Sequence, residues 1–351
     1  MDRVLLSTGK DDRAPPTDLF AMLNKEFRVA LGAGSSPPCG RLRNRVLQKG
    51  LMQMRVLSLF DGISCGRVAF DRAGIPVDEY HAYEVAASAI QISRNNWPDI
   101  VHKGDVTSAD FSQYRDFDIL IGGSPCQSLS IVQSKTRQNL DGKSRLFFDF
   151  VRAKDEMHPK WFLFENVASM NQECKAVISE LLGCSPVFID SGNFCAQERP
   201  RLYWTNIPVD LSTLPTSVAT LSDVLLPAEE VPAKYWYDLP LSEVNMAKQV
   251  CATLQFKNHD IHKRVFSPAY KCHTLTCVSG GHQQKKVLQN GRVRKLTPLE
   301  YERLQTLPDN YTAGVADDHR YTACGNGWTV DVIAWILSFI PKIAGAEEWM
   351  L

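Results

Sequence analysis

The sequence predicts an α/β fold: a largely parallel sheet with helices on both faces, and a smaller irregular lobe attached. Two observations predict it. From Met54 onward, short apolar runs alternate with amphipathic stretches of helical length, the pattern of strands joined by helical crossovers. After about Asn206 that rhythm stops, and it resumes only with "LTPLEYERLQTLP".

Residues 1–53, with "RAPP" and "GAGSSPPCG", read as a flexible extension, and Met52 or Met54 would serve equally well as the start of the folded part. "RVLSLF" (55–60) reads as a buried strand; a glycine-bearing loop then leads into "GRVAFDRAG", whose last glycine is a helix stop. "EYHAYE" (79–84), "DILIGG" (118–123), "WFLFEN" (161–166) and "PVFIDS" (186–191) are further short strands. "AASAIQISRNNW" and "RLFFDFVRAKDEM" supply helices between them. Residues 208–292 mix prolines, histidines, glycines and basic residues without a period, and "TVDVIAWILSFI" is apolar enough to pack back on the first lobe. The expected division is therefore an extension (1–53), a main domain (54–207), a second lobe (208–292) and a return to the main domain (293–351).

Composition narrows the class. Of 351 residues, 44% are hydrophobic and 22% charged, enough for a substantial core. No apolar run approaches the roughly 20 residues a membrane helix needs, so a chain inside a cell is expected. Ten cysteines without a C-x-x-C pair read by default as small buried hydrophobes. The net charge is zero, yet Leu241–Arg303 holds eleven Lys or Arg against four acids. A positive segment on a negative body suits a phosphate-contacting surface.

The candidate chemistry gathers at strand ends. "LFDGISCG" (59–66) has the strand–turn–helix layout that lets a nucleotide-like ligand approach the backbone, though it is neither G-x-G-x-x-G nor a phosphate-binding loop. Glu84 ends the next strand, where a carboxylate can accept from ribose hydroxyls, and Asp105 in "KGDV" could accept from an adenine amino group. Cys126 in "IGGSPCQSLSIV" follows the fourth strand, and Glu165 ends another on the same edge. One chemistry uses a thiol, a carboxyl group and an adenosine site together. A thiolate adding at carbon 6 of a cytosine activates carbon 5, and a glutamic acid at N3 stabilises the charge that builds there. A base inside a duplex cannot reach a buried thiol, so the target must be flipped out. In "QERPR", Arg199 and Arg201 lie two apart on an expected strand, hence on one face, and are assigned to the flipped nucleotide.

These motifs resemble those of the cytosine-5 DNA methyltransferases in their unpermuted order. "FDGISCG", "SPC", "ENV", "QERPR", "RKLTPLE" (294–300) and "GNGWTV" (325–330) match in turn over roughly residues 54–340, and "RLFFDF" and "WTNIP" look nearest to the eukaryotic de novo class. The resemblance implies a Rossmann-like methyltransferase sheet, S-adenosylmethionine as cofactor and double-stranded DNA as partner. It implies Cys126 as nucleophile, Glu165 as the N3 partner, Asn166 supporting that loop, and Arg199 and Arg201 on the target nucleotide. Phe60, Asp61, Gly62, Ile63, Cys65, Glu84, Val85, Asp105, Val106, Asn326 and Trp328 would line the cofactor. Fifty-three unpatterned residues cannot supply the chromatin-reading modules of the de novo enzymes. The expectation is therefore a stand-alone bacterial or phage enzyme, cytoplasmic, protecting DNA from restriction beside a possible cognate nuclease; a eukaryotic chain would be nuclear. A transfer-RNA cytosine methyltransferase, an inactive DNA-binding partner and a nicotinamide-dependent dehydrogenase are the alternatives. His259, His262, Cys272, His273, Cys277 and His282 are close in sequence, but their spacing is poor for structural zinc, and no metal is expected. "GGHQQKK" (280–286) is the candidate groove-reading loop.

Overall fold

A computed structural model describes residues 53–125, 145–278 and 280–341. The expected N-terminal extension falls outside these except for Gln53, and Cys126 lies outside them too. The first part runs β1 (Met54–Leu59), α1 (Cys65–Arg72), β2 (Val77–Tyr83), α2 (Ala87–Asn96), β3 (Val101–His102), β4 (Ile119–Gly122), α3 (Phe147–Met157), β5 (Trp161–Val167), α4 (Gln172–Leu182), β6 (Val187–Asp190), β7 (Gln197–Glu198) and β8 (Pro200–Thr205). Each expected strand is present within a few residues of its sequence bounds.

Seven of these strands form one sheet in the order β3-β2-β1-β4-β5-β8-β6. β3, β2, β1, β4 and β5 are parallel to one another. All four residues of β4 are buried, as are the last four of β1, so both faces of the sheet centre are covered. Local signals set the helix ends. The Asn171 side chain accepts from Cys174 N at 2.8 Å to cap α4, and Gly183, at φ +75°, stops it.

The exception to the parallel rule is β8, which runs antiparallel to both β5 and β6. This reversal sets Arg201 opposite Val167 and Tyr203 opposite Glu165, so the start of β8 lies at the carboxyl end of β5.

The chain continues through β9 (Val250–Thr253), α5 (Asp260–Lys263), β10 (Arg264–Phe266), β11 (Cys272–His273), β12 (Lys286–Gln289), β13 (Arg292–Lys295), α6 (Pro298–Leu304), α7 (Asp317–Asn326) and α8 (Val330–Leu337). The segment without sequence rhythm thus contains a second sheet, ordered β13-β12-β10-β9. Its strands are three or four residues long, too short to show a period. One signal was present: Asn290-Gly291 turns β12 into β13 with φ of +50° and +76°, the positive pair that an Asn-Gly hairpin adopts. The sheet reaches Lys295, so a boundary at 292 passes through β13.

Cys251, Ala252, Leu254, Val265, Leu288 and Val293 form a small core of this sheet, whereas Phe266, Cys272, Leu275 and Val287 belong to the main core with Val56 and Ile121. β11 pairs with β7, placing the stretch after His273 against "QERPR".

Candidate active site

The turn after β1 is held in an uncommon backbone shape. Phe60, Gly62 and Ser64 all have positive φ, at +58°, +60° and +61°. Asp61 organises it from within, accepting from Ser58 Oγ at 2.6 Å, Ser64 Oγ at 2.5 Å and Tyr80 OH at 2.7 Å. Burial pushes the Asp61 carboxyl pKa up, and those three donors pull against it. Gly66 opens α1 where any Cβ would meet Ile121 Cδ1 at 2.5 Å, so the helix start can lie directly on the sheet.

Glu84 joins this turn to the end of β2. One carboxylate oxygen accepts from Gly62 N and the other from Val85 N and Ala86 N, each at 2.8 Å. Val85 beside it is 70% exposed, an apolar side chain in water next to an anion. Asp105 is exposed after Gly104 (φ +79°), and a bond from Thr107 N at 2.9 Å holds its carboxyl below the ordinary range. Ile63, Cys65 and Val106 are buried, and burial lifts the Cys65 thiol to about 12, which leaves it inert. The turn therefore presents Phe60, Gly62, Glu84 and Val85 outward and uses Asp61, Ile63 and Cys65 to build itself.

Glu165 is the meeting point of the second half. β5 carries it to the sheet edge, where it is 9% exposed. Arg201 Nε sits 2.7 Å from one carboxylate oxygen, a diagonal contact across β5 and β8 that the reversed strand makes possible. Trp328 Nε1 donates to the other at 3.1 Å. A Cβ on Gly123 would stand 2.8 Å from Glu165 Oε2, so the backbone at Gly123 lies directly against this carboxyl. Asn166 Nδ2 donates to the Ser124 carbonyl at 3.3 Å, fixing the residue two before Cys126.

Arg199 and Arg201 are not side by side. Arg199 stands between β7 and β8, is 4% exposed, and donates to the carbonyls of Leu275 (3.0 Å), Gly325 (3.0 Å) and Gly327 (2.9 Å). The shared face expected from their spacing requires one continuous strand, and the strand breaks at Arg199. Two glutamines that sequence reasoning passed over, Gln197 and Gln305, complete this corner. Gln305 donates to the carbonyls of Cys324, at 2.5 Å, and Gly327, at 3.0 Å, and accepts from Gln197 Nε2 at 3.0 Å and Thr329 Oγ1 at 2.8 Å. Only an internal glutamine's burial could have revealed them, and sequence does not carry that. Asn326 is exposed, its side-chain oxygen 2.7 Å from Cys277 Sγ.

The "GGHQQKK" stretch is divided: Gly281 and His282 are exposed, and its last three residues turn inward. Gln284, Lys285 and Lys286 are all buried, and Lys286 Nζ donates to the carbonyls of His262, His282 and Gln284 at 2.6, 2.6 and 2.8 Å. Burial and the nearby Lys285 and Lys295 charges press its pKa down to about 7. Among the described residues, no cluster of His, Cys, Asp and Glu is arranged to hold a metal. None of the helices there is long and apolar enough to cross a membrane.

A family model described as C-5 cytosine-specific DNA methylase matches residues 54–224 and 234–342. The Type II methyltransferase M.HhaI of Haemophilus parahaemolyticus is 26% identical over 318 residues, covering 83% of this chain and 95% of that protein. The Type II methyltransferase M1.ScrFI of Lactococcus lactis subsp. cremoris is 27% identical over 304 residues, covering 80% and 76%. Among solved structures, an E. coli prophage-encoded putative DNA modification methyltransferase has a TM-score of 0.61 at 18% identity, and S. pombe Dnmt2 methyltransferase 0.60 at 16%. Each covers 82% of this chain and 98% of its own. At such identities the structures show a shared fold.

Proposed function

The chain belongs to the C-5 cytosine-specific DNA methylases, and from that premise we propose that it methylates carbon 5 of a flipped cytosine in double-stranded DNA through a covalent bond from Cys126. The observation that carries this reading is the setting of Glu165. Its carboxyl is held by Arg201 and Trp328 directly against Gly123, three residues before Cys126, on the edge that also bears the Glu84 turn.

S-adenosylmethionine fits the β1 turn, because Val85 offers an exposed apolar surface for a flat ring beside the Glu84 carboxylate. Phe60, Gly62, Glu84, Val85 and Asp105 would hold it. When bound it supplies a methyl group on an electrophilic sulfonium. The chain's own residues prepare the base. The Cys126 thiolate forms a bond to carbon 6, and the electron pair of the 5,6 double bond moves toward carbon 5 and N3. Glu165 donates a proton or hydrogen bond at N3, where the charge would otherwise stand unshielded. Once carbon 5 has taken the methyl group, its proton passes to water, the C–H pair re-forms the 5,6 double bond and expels Cys126 as thiolate, and N3 returns its proton or hydrogen bond to Glu165. Arg201 keeps the Glu165 oxygen that it pairs turned away from solvent, and Arg199 holds the surrounding backbone. Type II methyltransferases among the relatives support a role in DNA modification, and a cognate nuclease is the partner this reading proposes.

The test uses DNA carrying 5-fluorocytosine, whose fluorine cannot leave as a cation. With labelled S-adenosylmethionine, the intact chain should form a denaturation-resistant adduct that maps to Cys126. Cys126→Ser should form none while binding the cofactor within about twofold of the intact chain. An adduct on similarly substituted transfer RNA but not on DNA would replace the substrate, and equal loss of cofactor affinity in Cys126→Ser would mark the thiol as structural.

A further inference from the structure

The resemblance assigns Trp328 to the cofactor, yet its one polar atom is engaged elsewhere. The indole N–H points at Glu165 Oε2, 3.1 Å away, while Arg201 Nε holds Oε1 at 2.7 Å. We propose that Trp328 is a positioning residue for Glu165: it fixes the plane of the carboxyl group at which N3 of the target base is received. This deepens the function proposed above and rests on it.

The indole is itself immobilised from several directions. The Gly327 carbonyl before it is held by Arg199 Nη2 at 2.9 Å and Gln305 Nε2 at 3.0 Å. Thr329 after it is tied to Gln305 Oε1 at 2.8 Å, and the Gly327 N–H is bound to the Ala323 carbonyl at 2.8 Å. The ring edge lies over Gly66, where a Cβ would sit 3.6 Å from Cζ3. Gly123 leaves the path open on the other side: its missing Cβ would fall 3.1 Å from Nε1 and 2.8 Å from Glu165 Oε2.

A carboxyl group held at one oxygen still turns about its last bond, because the energy around that sp³–sp² torsion is broad. Held at both, it presents one plane. Arg201 alone would fix Oε1 and leave Oε2 free to swing across the space above Gly123. Trp328 supplies the second hold from a chain segment far from β5 and β8, so the carboxyl orientation depends on the loop after α7 being in place. Trp328 thereby connects the turn at Gly66, beside the proposed cofactor site, to the group that serves the base.

The test is Trp328→Phe, which keeps a ring over Gly66 and removes the N–H. A second variant replaces the indole at position 328 with benzothiophene, nearly isosteric and without a donor, should the phenylalanine chain melt early. Labelled S-adenosylmethionine in equilibrium dialysis gives the cofactor Kd, and single turnover on unmethylated plasmid DNA gives the transfer rate. Both variants should bind cofactor within about twofold and transfer roughly tenfold more slowly, the upper end of what one lost hydrogen bond costs. In a Glu165→Ala background the same change should cost nothing further, since both act through one carboxyl group. A rate that stays unchanged, a loss confined to cofactor affinity, or full additivity with Glu165→Ala would overturn the proposal. A Glu165→Ala chain that transfers at the full rate would instead sink the role given to Glu165, whatever Trp328 does.

Discussion

A methyl group added at Gly123 would stand 2.8 Å from Glu165 Oε2 and 3.1 Å from Trp328 Nε1, inside the contact that joins them. Neither neighbour can yield without leaving its partner. Gly123→Ala should therefore lower single-turnover transfer by about a hundredfold, the scale on which a misplacement near 1 Å acts, while cofactor Kd and melting temperature change little. Transfer at half the normal rate or better would show that the carboxyl has room to move. Glu84 stands just past the end of β2, where an acid closing an apolar run is expected, whereas Glu165 lies two residues inside the end of β5 and is buried. The setting of Arg199 was not legible in the sequence. A guanidinium on three buried carbonyls and one on a phosphate have the same sequence signature, and only the fold separates them.

At the scale of the element, "RKLTPLE" is explained by its own hydrogen bonds. Thr297 and Glu300 form a capping box at the start of α6, with Pro298 in the first turn. The same Glu300 accepts from Arg294 at 2.6 and 2.8 Å and from Leu226 N at 2.8 Å, with both charged side chains fully buried. Glu300→Ala leaves an uncompensated buried guanidinium and an uncapped helix. It should destabilise the fold by about 3–5 kcal/mol, read as a large fall in the thermal unfolding midpoint; a fall of only a degree or two would contradict this account. The basic excess of Leu241–Arg303 looks different in this light. Lys271 Nζ reaches the carbonyls of Cys195, Ser217 and Ala219, Lys286 reaches three more, and Arg294 is paired, so several cations that read as a phosphate-binding surface are internal fastenings. Short irregular strands leave many carbonyls without ladder partners, and buried cations fill that need. The second sheet escaped the sequence reading for the same reason: strands of three and four residues have no period to detect.

Across the whole molecule, the end of the chain supports the beginning. α8 lies in the main core with α1, Arg72 Nη1 bonds Asp331 Oδ1 and the Thr306 carbonyl, and the Tyr311 hydroxyl donates to the Ile63 carbonyl at 2.8 Å while accepting from Trp97 Nε1 at 3.1 Å. Tyr311→Phe removes the donor under the β1 turn and leaves a part-buried indole N–H without its acceptor. It should lower stability by roughly 1–3 kcal/mol and raise the S-adenosylmethionine Kd severalfold, measured by thermal melting and dialysis. Unaltered cofactor affinity would mean that the turn keeps its shape without this prop. The alternation of strands and helices made the large sheet readable from sequence, but nothing local announces that "TVDVIAWILSFI" belongs beneath "FDGISCG" beyond its need to be buried.

That long-range support has a consequence for how the protein is made. Ile63 leaves the ribosome 248 residues before Tyr311, an interval of roughly 10–50 s at 5–20 residues per second. Throughout it the β1 turn, with three residues at positive φ, lacks the hydroxyl and the helix that later brace it. The nascent first lobe therefore has the β1 turn's own hydrogen bonds within reach but lacks the later cover of Tyr311 and α8, and the time it spends so is set by translation speed. Slow codons late in the message would lengthen this exposure and favour aggregation or chaperone capture, even though they change no residue of the finished fold.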